Sequence, residues 1–271
     1  SAIDRWGLEA ALRKFVGMFA FALWDRKERV LSLVRDRLGE KPLYYGSIGH
    51  SFVFGSELKA LAAFPDSQLE IDCGALQTFL QFGYVPAPCS IYRGISKLLP
   101  GSFVSVSVRQ GGSFTIGEPK RYWSLDSGQA AEWARGLAAR EDADLVEELH
   151  ARLATSVRRQ MVADVPLGAF LSGGIDSSAI VSLMQAQSSR PIRTFTIGFH
   201  EDSFNEAPYA QQVARHLGTD HTELYVKASE AAAVIPHLPQ IYDEPFADSS
   251  GIPTFLVSQL ARDHVTVSLS G

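Results

Sequence analysis

Cysteine is nearly missing from this chain of 271 residues, with two copies, Cys73 and Cys89. Neither belongs to a CxxC pair or has a histidine partner nearby, so the two read as reduced thiols of a cytoplasmic protein, with a structural disulfide the less favoured alternative. His216, His221, His237 and His264 show no metal-ligand spacing, and no directly bound metal is expected. Long apolar runs are absent as well. No stretch approaches the roughly 20 residues that a membrane-spanning helix needs, and the charged, amphipathic opening from Ser1 to Lys14 does not read as a signal peptide. Positive charge is in short supply. The formal net charge is −5 with no basic run, which argues against nucleic acid and anionic membranes as partners. The apolar fraction of 46% is ample for packed cores in two domains.

The stretch around which the chain is arranged is Leu171-Ser172-Gly173-Gly174-Ile175-Asp176-Ser177-Ser178. Val165 to Leu171 before it is short, apolar and Pro-flanked, as a buried parallel strand is. Ser178 to Gln187 after it carries Ile180, Val181, Leu183 and Met184 at helical spacing. A Gly-Gly loop between strand and helix lets the backbone approach a ligand, and adds its N–H groups to the unpaired donors of the helix start. Such a site favours anions. Ser172, Ser177 and Ser178 add hydroxyls, and Asp176 can cap the helix or approach a phosphate through a divalent cation. No lysine occurs between Gly168 and Ser178, which disfavours γ-phosphoryl transfer of the GxxxxGK[ST] type. The remaining reading is a pyrophosphate loop suited to attack at the α-phosphate, with an adenylate formed.

Ahead of this loop, Asp4 to Lys14 reads as one short helix. Phe15 to Trp24 reads as a strand covered on both faces, returning through Val30 to Val34 as a buried hairpin. The charge-dense run Arg35-Asp36-Arg37-Leu38-Gly39-Glu40-Lys41 follows, wedged between apolar strands. Arg35 or Arg37 could bind the carboxylate of an amino acid bidentately, with Asp36 fixing the guanidinium. Phe52 to Ser56 is a strand, and Glu57 to Ala63 a helix after a cap at Ser56. Cys73 to Phe82 is a second helix, and Ser102 to Val108 an alternating strand turned back at Gln110-Gly111-Gly112-Ser113. Residues 126–143 weaken into Ala, Gly and charge and read as a linker.

Beyond it, Asp144 to Met161 is a helix with Val146, Leu149, Leu153 and Val157 on one face. Arg193 to Phe199 and Thr222 to Val226 are strands separated by the helix Glu206 to Leu217. This alternation implies a parallel sheet with helices on both faces and ligands at the carboxyl ends of its strands. Asp243-Glu244-Pro245-Phe246-Ala247-Asp248-Ser249-Ser250 is a second unusual loop, whose carboxylates could hold Mg²⁺ or an ammonium group. The helix Ile252 to Arg262 and strand Val265 to Leu269 then bring Ser270-Gly271 beside the first loop.

Taken together, GMFAFALWD (Gly17 to Asp25), RDRLGEKPLYY (Arg35 to Tyr45), GSELKAL (Gly55 to Leu61), VPLGAFLSGGIDSS (Val165 to Ser178), TFTIGF (Thr194 to Phe199), DEPFADSSGIPT (Asp243 to Thr254) and VSLSG (Val267 to Gly271) resemble the glutamine-dependent asparagine synthetases. The resemblance implies an α/β and α+β chain. Its parts would be a partial N-terminal-nucleophile-type αββα glutaminase domain over 1–125 and a partial Rossmann-like adenine nucleotide alpha-hydrolase, or pyrophosphate-loop, domain over 144–271. It also implies ATP with Mg²⁺, aspartate activated as β-aspartyl-AMP, ammonia delivered from glutamine, and a homodimer. By the same resemblance Ser172 to Ser177, with Gly173, Gly174 and Asp176, hold pyrophosphate. Leu171, Ile197, Ser270 and Gly271 line the nucleotide pocket, Glu206 lies on the phosphate or Mg²⁺ side, and Asp243, Glu244, Ser249 and Ser250 lie on the aspartate side. Arg35, Asp36, Arg37, Gly39 and Lys41 mark the glutaminase half.

Two departures are visible. The family's N-terminal nucleophilic cysteine has no counterpart in Cys73 or Cys89, and the acidic Gly-rich loop and later lysine that follow the family's SG have none after Gly271. Both ends therefore read as cut, and the piece is expected to be inactive alone. The rival enzymatic reading is a related adenylating amidotransferase or β-lactam synthetase-like enzyme with another carboxylate substrate. The rival outside catalysis is a nucleotide-binding module.

Overall fold

The computed structural model describes residues 1–65, 67–125, 129–138, 140–200 and 205–271. It is a mixed α/β chain divided into two compact units, Ser1–Ala134 with Pro239–Ala247, and Arg135–Leu238 with Asp248–Gly271.

The first unit opens with two short helices, α1 (Ala2–Trp6) and α2 (Leu8–Leu12), where the sequence suggests one. Gly7 between them has φ 77, a conformation that no α-helix contains. The first sheet joins β1 (Ala20–Asp25), β2 (Val30–Arg35), β6 (Ser102–Val108) and β7 (Phe114–Ile116) in the order β1-β2-β6-β7, with β8 (Lys120–Arg121) also beside β6. Neighbours are antiparallel, in registers such as Ala20↔Arg35 and Leu33↔Val104. The second sheet runs β4 (Ser51–Gly55), β3 (Tyr44–Ile48), β5 (Ile95–Lys97).

Side-chain alternation sorts these strands into layers. Val34 and Phe103 pack with Leu12 of α2 and with Tyr122, whereas Leu33 and Val104 face Tyr45 of the second sheet. Ile48 and Val53, on that sheet's other face, meet Leu58 and Leu61 of α3 (Leu58–Ala62) and Ala75 of α4 (Cys73–Phe82). The expected strand over Phe15 to Trp24 is shorter than its apolar run. Phe15 and Phe19 instead join the cluster around Leu12, their ring centroids 5.8 Å apart. β1 is not covered on both faces: Ala22 and Trp24, on one face of it, are exposed.

Residues 126–128 and 139, inside the expected linker, lie outside the described residues; α5 (Gln129–Leu137) occupies much of the rest. In the second unit α6 (Asp142–Gln160) buries only the end of its apolar face. Val157 packs into the core with Ala154 and Met161, while Val146 and Leu149 are exposed.

The second unit's sheet is wholly parallel, in the order β11-β10-β9-β12. Its strands are β9 (Leu167–Phe170), β10 (Arg193–Phe199), β11 (Asp220–Val226) and β12 (Val267–Leu269), with α7 (Ile175–Ala186), α8 (Ala207–Leu217), α9 (Ala228–Val234), α10 (Leu238–Ile241) and α11 (Gly251–Arg262) among the connections. Helices cover both faces. Ala169 and Leu171 point into the core with Val181 and Met184 of α7 and Ala210 and Ala214 of α8, and Phe170 and Phe195 meet Ala261 and Leu260 of α11 on the opposite face. The chain runs from β9 outward through β10 and β11, then returns to β12 on the other side of β9. Such a reversal opens a crevice at the strands' carboxyl ends. Among the described residues, no helix is long and apolar enough to cross a membrane.

Candidate functional site

Two motif loops carry most of the chemistry that the sequence singles out, and each lies within one unit. In the first unit the loop after β2 closes on itself. Asp36 is 1% exposed. Its two oxygens accept the backbone N–H groups of Phe19 (3.2 Å), Leu38 (3.2 Å), Glu40 (3.0 Å) and Lys41 (2.9 Å). Arg35 donates through Nε to the Lys41 carbonyl at 2.8 Å, through Nη1 to Leu98 at 2.7 Å and through Nη2 to Gly39 at 2.7 Å. Gly39 has φ +71, and a side chain there would meet Pro100 and the Arg35 guanidinium. Tyr122 completes the knot by donating its hydroxyl to the Arg35 carbonyl at 2.8 Å; burial, then the Asp36 charge, pushes its pKa up to about 12.

The expected role of this run in binding a substrate carboxylate is set beside a structural one. Arg35 spends its fork on three carbonyls, and Asp36 fixes backbone amides and not a guanidinium. Arg37 donates through Nη2 to the Arg13 carbonyl and lies 5.9 Å from the Trp123 ring centroid.

In the second unit the loop between β9 and α7 is built the other way round. The Ser172 and Ser177 hydroxyls lie 2.9 Å apart, and the Ser172 N–H donates to Ser177 Oγ at 3.2 Å. Gly174, the N-cap of α7, supplies no side-chain cap, so the helix's first amides are left to whatever occupies the loop. Ser178 Oγ is buried without a hydrogen-bond partner. Gly173 has φ +81, and a Cβ there would come within 2.6 Å of the Ala210 nitrogen. Only glycine lets the loop sit this close to the start of α8. Gly271 abuts the same loop, for a Cβ there would lie 2.5 Å from the Ser177 nitrogen.

A cavity of about 910 Å³ opens at this end of the sheet. Of the sequence-expected residues it is lined by Leu171, Ser172, Ile197, Glu206, Ser249, Ser250 and Ser270. Gly173, Gly174, Asp176 and Ser177 form the loop and first turn of α7 beside it. Thr196, Phe199, Ala228, Ala231 and Thr254 also line the cavity, and the sequence reading missed them. Thr196 and Phe199 sit in the recognised TFTIGF strand and Thr254 in the recognised loop, so their motif membership was the available signal. Ala228 and Ala231 share one face of α9 and carry no chemical signature.

Asp243 and Glu244 are not part of this cavity. They belong to the first unit, where Asp243 lies 3.2 Å from Lys59 Nζ and Glu244 pairs with Lys97. The four residues expected on the aspartate side are thus divided between two places. The cap expected from Ser56 is also replaced: Glu57 is the N-cap of α3 without a side-chain bond, and Asp243 accepts the Lys59 N–H at 3.2 Å. Cys73 and Cys89 are free and exposed. Among the described residues no three His, Cys, Asp or Glu side chains gather to hold a metal ion.

Comparison with known proteins follows this division. Residues 1–123 match the glutamine amidotransferase domain family and residues 148–271 the asparagine synthase family. The chain is 37% identical over 264 residues to asparagine synthetase [glutamine-hydrolyzing] 1 of Bacillus subtilis, covering 97% of this chain and 39% of that protein. It is 31% identical over 271 residues to the asparagine synthetase [glutamine-hydrolyzing] 3 of the same bacterium, covering 94% of this chain and 42% of that protein. It is 30% identical over 220 residues to the amidase chyE of Penicillium rubens, covering 75% of this chain and 30% of that protein. The chain thus spans about two fifths of the length of the two synthetases it matches. With an amidotransferase match over residues 1–123 ahead of an asparagine synthase match over 148–271, the chain belongs to the asparagine synthetase family.

Proposed function

We propose that the chain serves a glutamine-dependent asparagine synthetase, in which ATP activates the β-carboxylate of aspartate and ammonia from glutamine displaces AMP. The observation that carries this reading is the Ser172–Ser177 loop, which precedes an uncapped helix start and reaches, at Ser172, a cavity large enough for a nucleotide. A carboxylate oxygen attacks the α-phosphorus and pyrophosphate leaves with the bond electrons. Ammonia then attacks the acyl carbon, AMP leaves, and one proton passes to solvent. Serine hydroxyls and the first amides of α7 hold charge that grows on the departing pyrophosphate. Apolar Leu171 and Ile197, with Ser270 and Gly271, suit the adenosine end.

Mg²⁺ fits this place to a limited degree. Asp176 and Glu206 are the nearby carboxylates, and an ion shared with phosphate oxygens needs few protein ligands. It would neutralise charge on the phosphates. Ser249 and Ser250 are the proposed amino-acid side. The layered helices and sheets of the first unit support an αββα glutaminase reading of residues 1–125, followed by a linker and a Rossmann-like pyrophosphate-loop domain over 144–271. Two exposed free thiols suit a reducing, cytoplasmic setting.

The test uses the chain as its gene encodes it, with ¹⁸O in the aspartate β-carboxylate. The label is expected in AMP, and Ser172→Ala is expected to slow aspartate-dependent exchange of pyrophosphate into ATP by about 10²-fold. Label that stays out of AMP contradicts adenylation, and a panel in which another acid outperforms aspartate moves the reading to a related amidotransferase.

A further inference from the structure

Strand β10 carries two threonines on one face, Thr194 and Thr196, which are 0% and 4% exposed. Strand alternation puts both on the side that α8 covers, together with Gly198, where a Cβ would come within 3.0 Å of the Ala207 Cβ. Their hydroxyls differ in what they meet. Thr194 Oγ1 lies 3.0 Å from Thr219 Oγ1 and 2.9 Å from His221 Nδ1. Thr196 Oγ1 has no hydrogen-bond partner among the described residues.

A hydroxyl buried without a partner costs free energy, whereas valine has the same shape, suits a strand as well and carries no such cost. Packing alone therefore gives no reason for a hydroxyl at 196. The cavity does. Thr196 lines the crevice of about 910 Å³ in the second unit, which Thr194 does not reach. The sheet fixes where it stands. The Leu171 N–H donates to the Phe195 carbonyl at 2.9 Å, continuing the register Phe195↔Phe170 and setting Thr196 beside Leu171. Leu171 and Ile197, its neighbours across and along the sheet, line the same cavity. Thr196 thus stands between the two apolar residues of the adenosine end, one position short of the serine loop.

We propose that Thr196 binds the adenosine part of the nucleotide, its hydroxyl exchanging a hydrogen bond with a polar atom of the base or ribose. The identity of the ligand rests on the proposed function; the place of the hydroxyl rests on the geometry of the second unit alone. A hydroxyl both donates and accepts, so it matches a ring nitrogen, an amino group or a ribose hydroxyl. It supplies one directional contact where the other walls, Leu171, Ile197, Ala228 and Ala231, present apolar side chains.

The experiment compares wild type with Thr196→Val, Thr196→Ser and Thr194→Val in the chain as its gene encodes it. Calorimetry reads the affinities for ATP, AMP and pyrophosphate, and thermal denaturation without ligand reads stability. Thr196→Val is expected to weaken ATP and AMP by about tenfold each, because the ligand atom is left unpaired, and to keep pyrophosphate within about twofold. Its melting temperature without ligand should be unchanged or higher. Thr196→Ser keeps the hydroxyl and should hold both nucleotide affinities within about threefold of wild type. Thr194→Val should reverse the pattern, lowering the melting temperature by about 2–4 °C and leaving ATP affinity within about twofold.

ATP affinity within twofold of wild type in Thr196→Val overturns the proposal, as does a Thr196→Ser variant no better than Thr196→Val. A fall in ligand-free stability that accompanies the loss of affinity would make Thr196 structural. Equal losses for pyrophosphate and ATP would move the hydroxyl to the phosphates and overturn its assignment to adenosine. Wild type that binds ATP but shows no aspartate-dependent exchange of pyrophosphate counts against the proposed reaction alone, since the affinities still decide Thr196.

Discussion

The loops at Arg35 to Lys41 and at Ser172 to Ser177 make opposite use of their polar groups. The first is rich in charge and turns it inward. Four amides converge on Asp36, and three carbonyls on Arg35, so the loop is a solid corner between β2 and β3. The second is poor in charge, with Asp176 alone, and spends its serines partly on one another. It leaves a helix start and the Ser178 hydroxyl without protein partners. Charge density in a motif therefore does not by itself mark a binding site.

The largest effect that sharpens this contrast is expected at Asp36. Asp36→Ala leaves four part-buried amides without an acceptor, at about 1 kcal/mol or more each. Stability should fall by roughly 4 kcal/mol in urea denaturation. A loss below about 1 kcal/mol would mean that the loop's amides are satisfied in other ways.

Next comes Gly173→Ala. Its positive φ and the approach to Ala210 and Tyr209 leave no room for a methyl group. The substitution should cost about 1–3 kcal/mol of stability and weaken ATP binding by more than about tenfold, since the loop must move to accommodate it. Wild-type ATP affinity, measured by calorimetry, would separate Gly173 from the anion site.

Arg35→Lys is expected to be smaller, at about 1–2 kcal/mol, because an ammonium cannot reach three carbonyls arranged for a planar fork. It should leave KM for glutamine unchanged. A raised KM would return Arg35 to the substrate.

The smallest effect lies away from both loops. His221 accepts from or donates to Thr194 Oγ1 at 2.9 Å, and Thr194 also meets Thr219 at 3.0 Å. Burial depresses the imidazole pKa, with the nearby Glu223 opposing. Because the folded pKa lies below the unfolded one, the unfolded chain binds the extra proton. The contribution is present above the ordinary value of about 6.5 and fades as pH falls through and below it. The denaturation midpoint should decline over that window in wild type and less so in His221→Asn.

How much of this was legible in the sequence depends on the range over which each feature is determined. Cys73–Phe82, Ser102–Val108 and Arg193–Phe199 have the bounds that the sequence suggests, since caps, alternation and turn residues act locally. The Gly-Gly loop between strand and helix was legible for the same reason: strand, glycines and helix are contiguous. Phe15 to Phe19 was not, because an apolar run alone does not distinguish a strand from a ring cluster. The corner at Asp36 showed its composition but not its direction, which depends on where amides and carbonyls point after folding. Asp243 and Glu244, which the resemblance puts on the aspartate side, have partners in Lys59 and Ile91, 184 and 153 positions away, and no local pattern announces such a pairing.

The central claim, that the second loop is open to an anion while Arg35 and Asp36 of the first bond to its own backbone, is tested most directly by deuterium exchange with and without pyrophosphate or ATP. The account expects peptides covering 171–178 to gain protection on adding either ligand, and peptides covering 35–41 to be strongly protected beforehand and unchanged by it. Ligand-induced protection at 35–41 with none at 171–178 would contradict it.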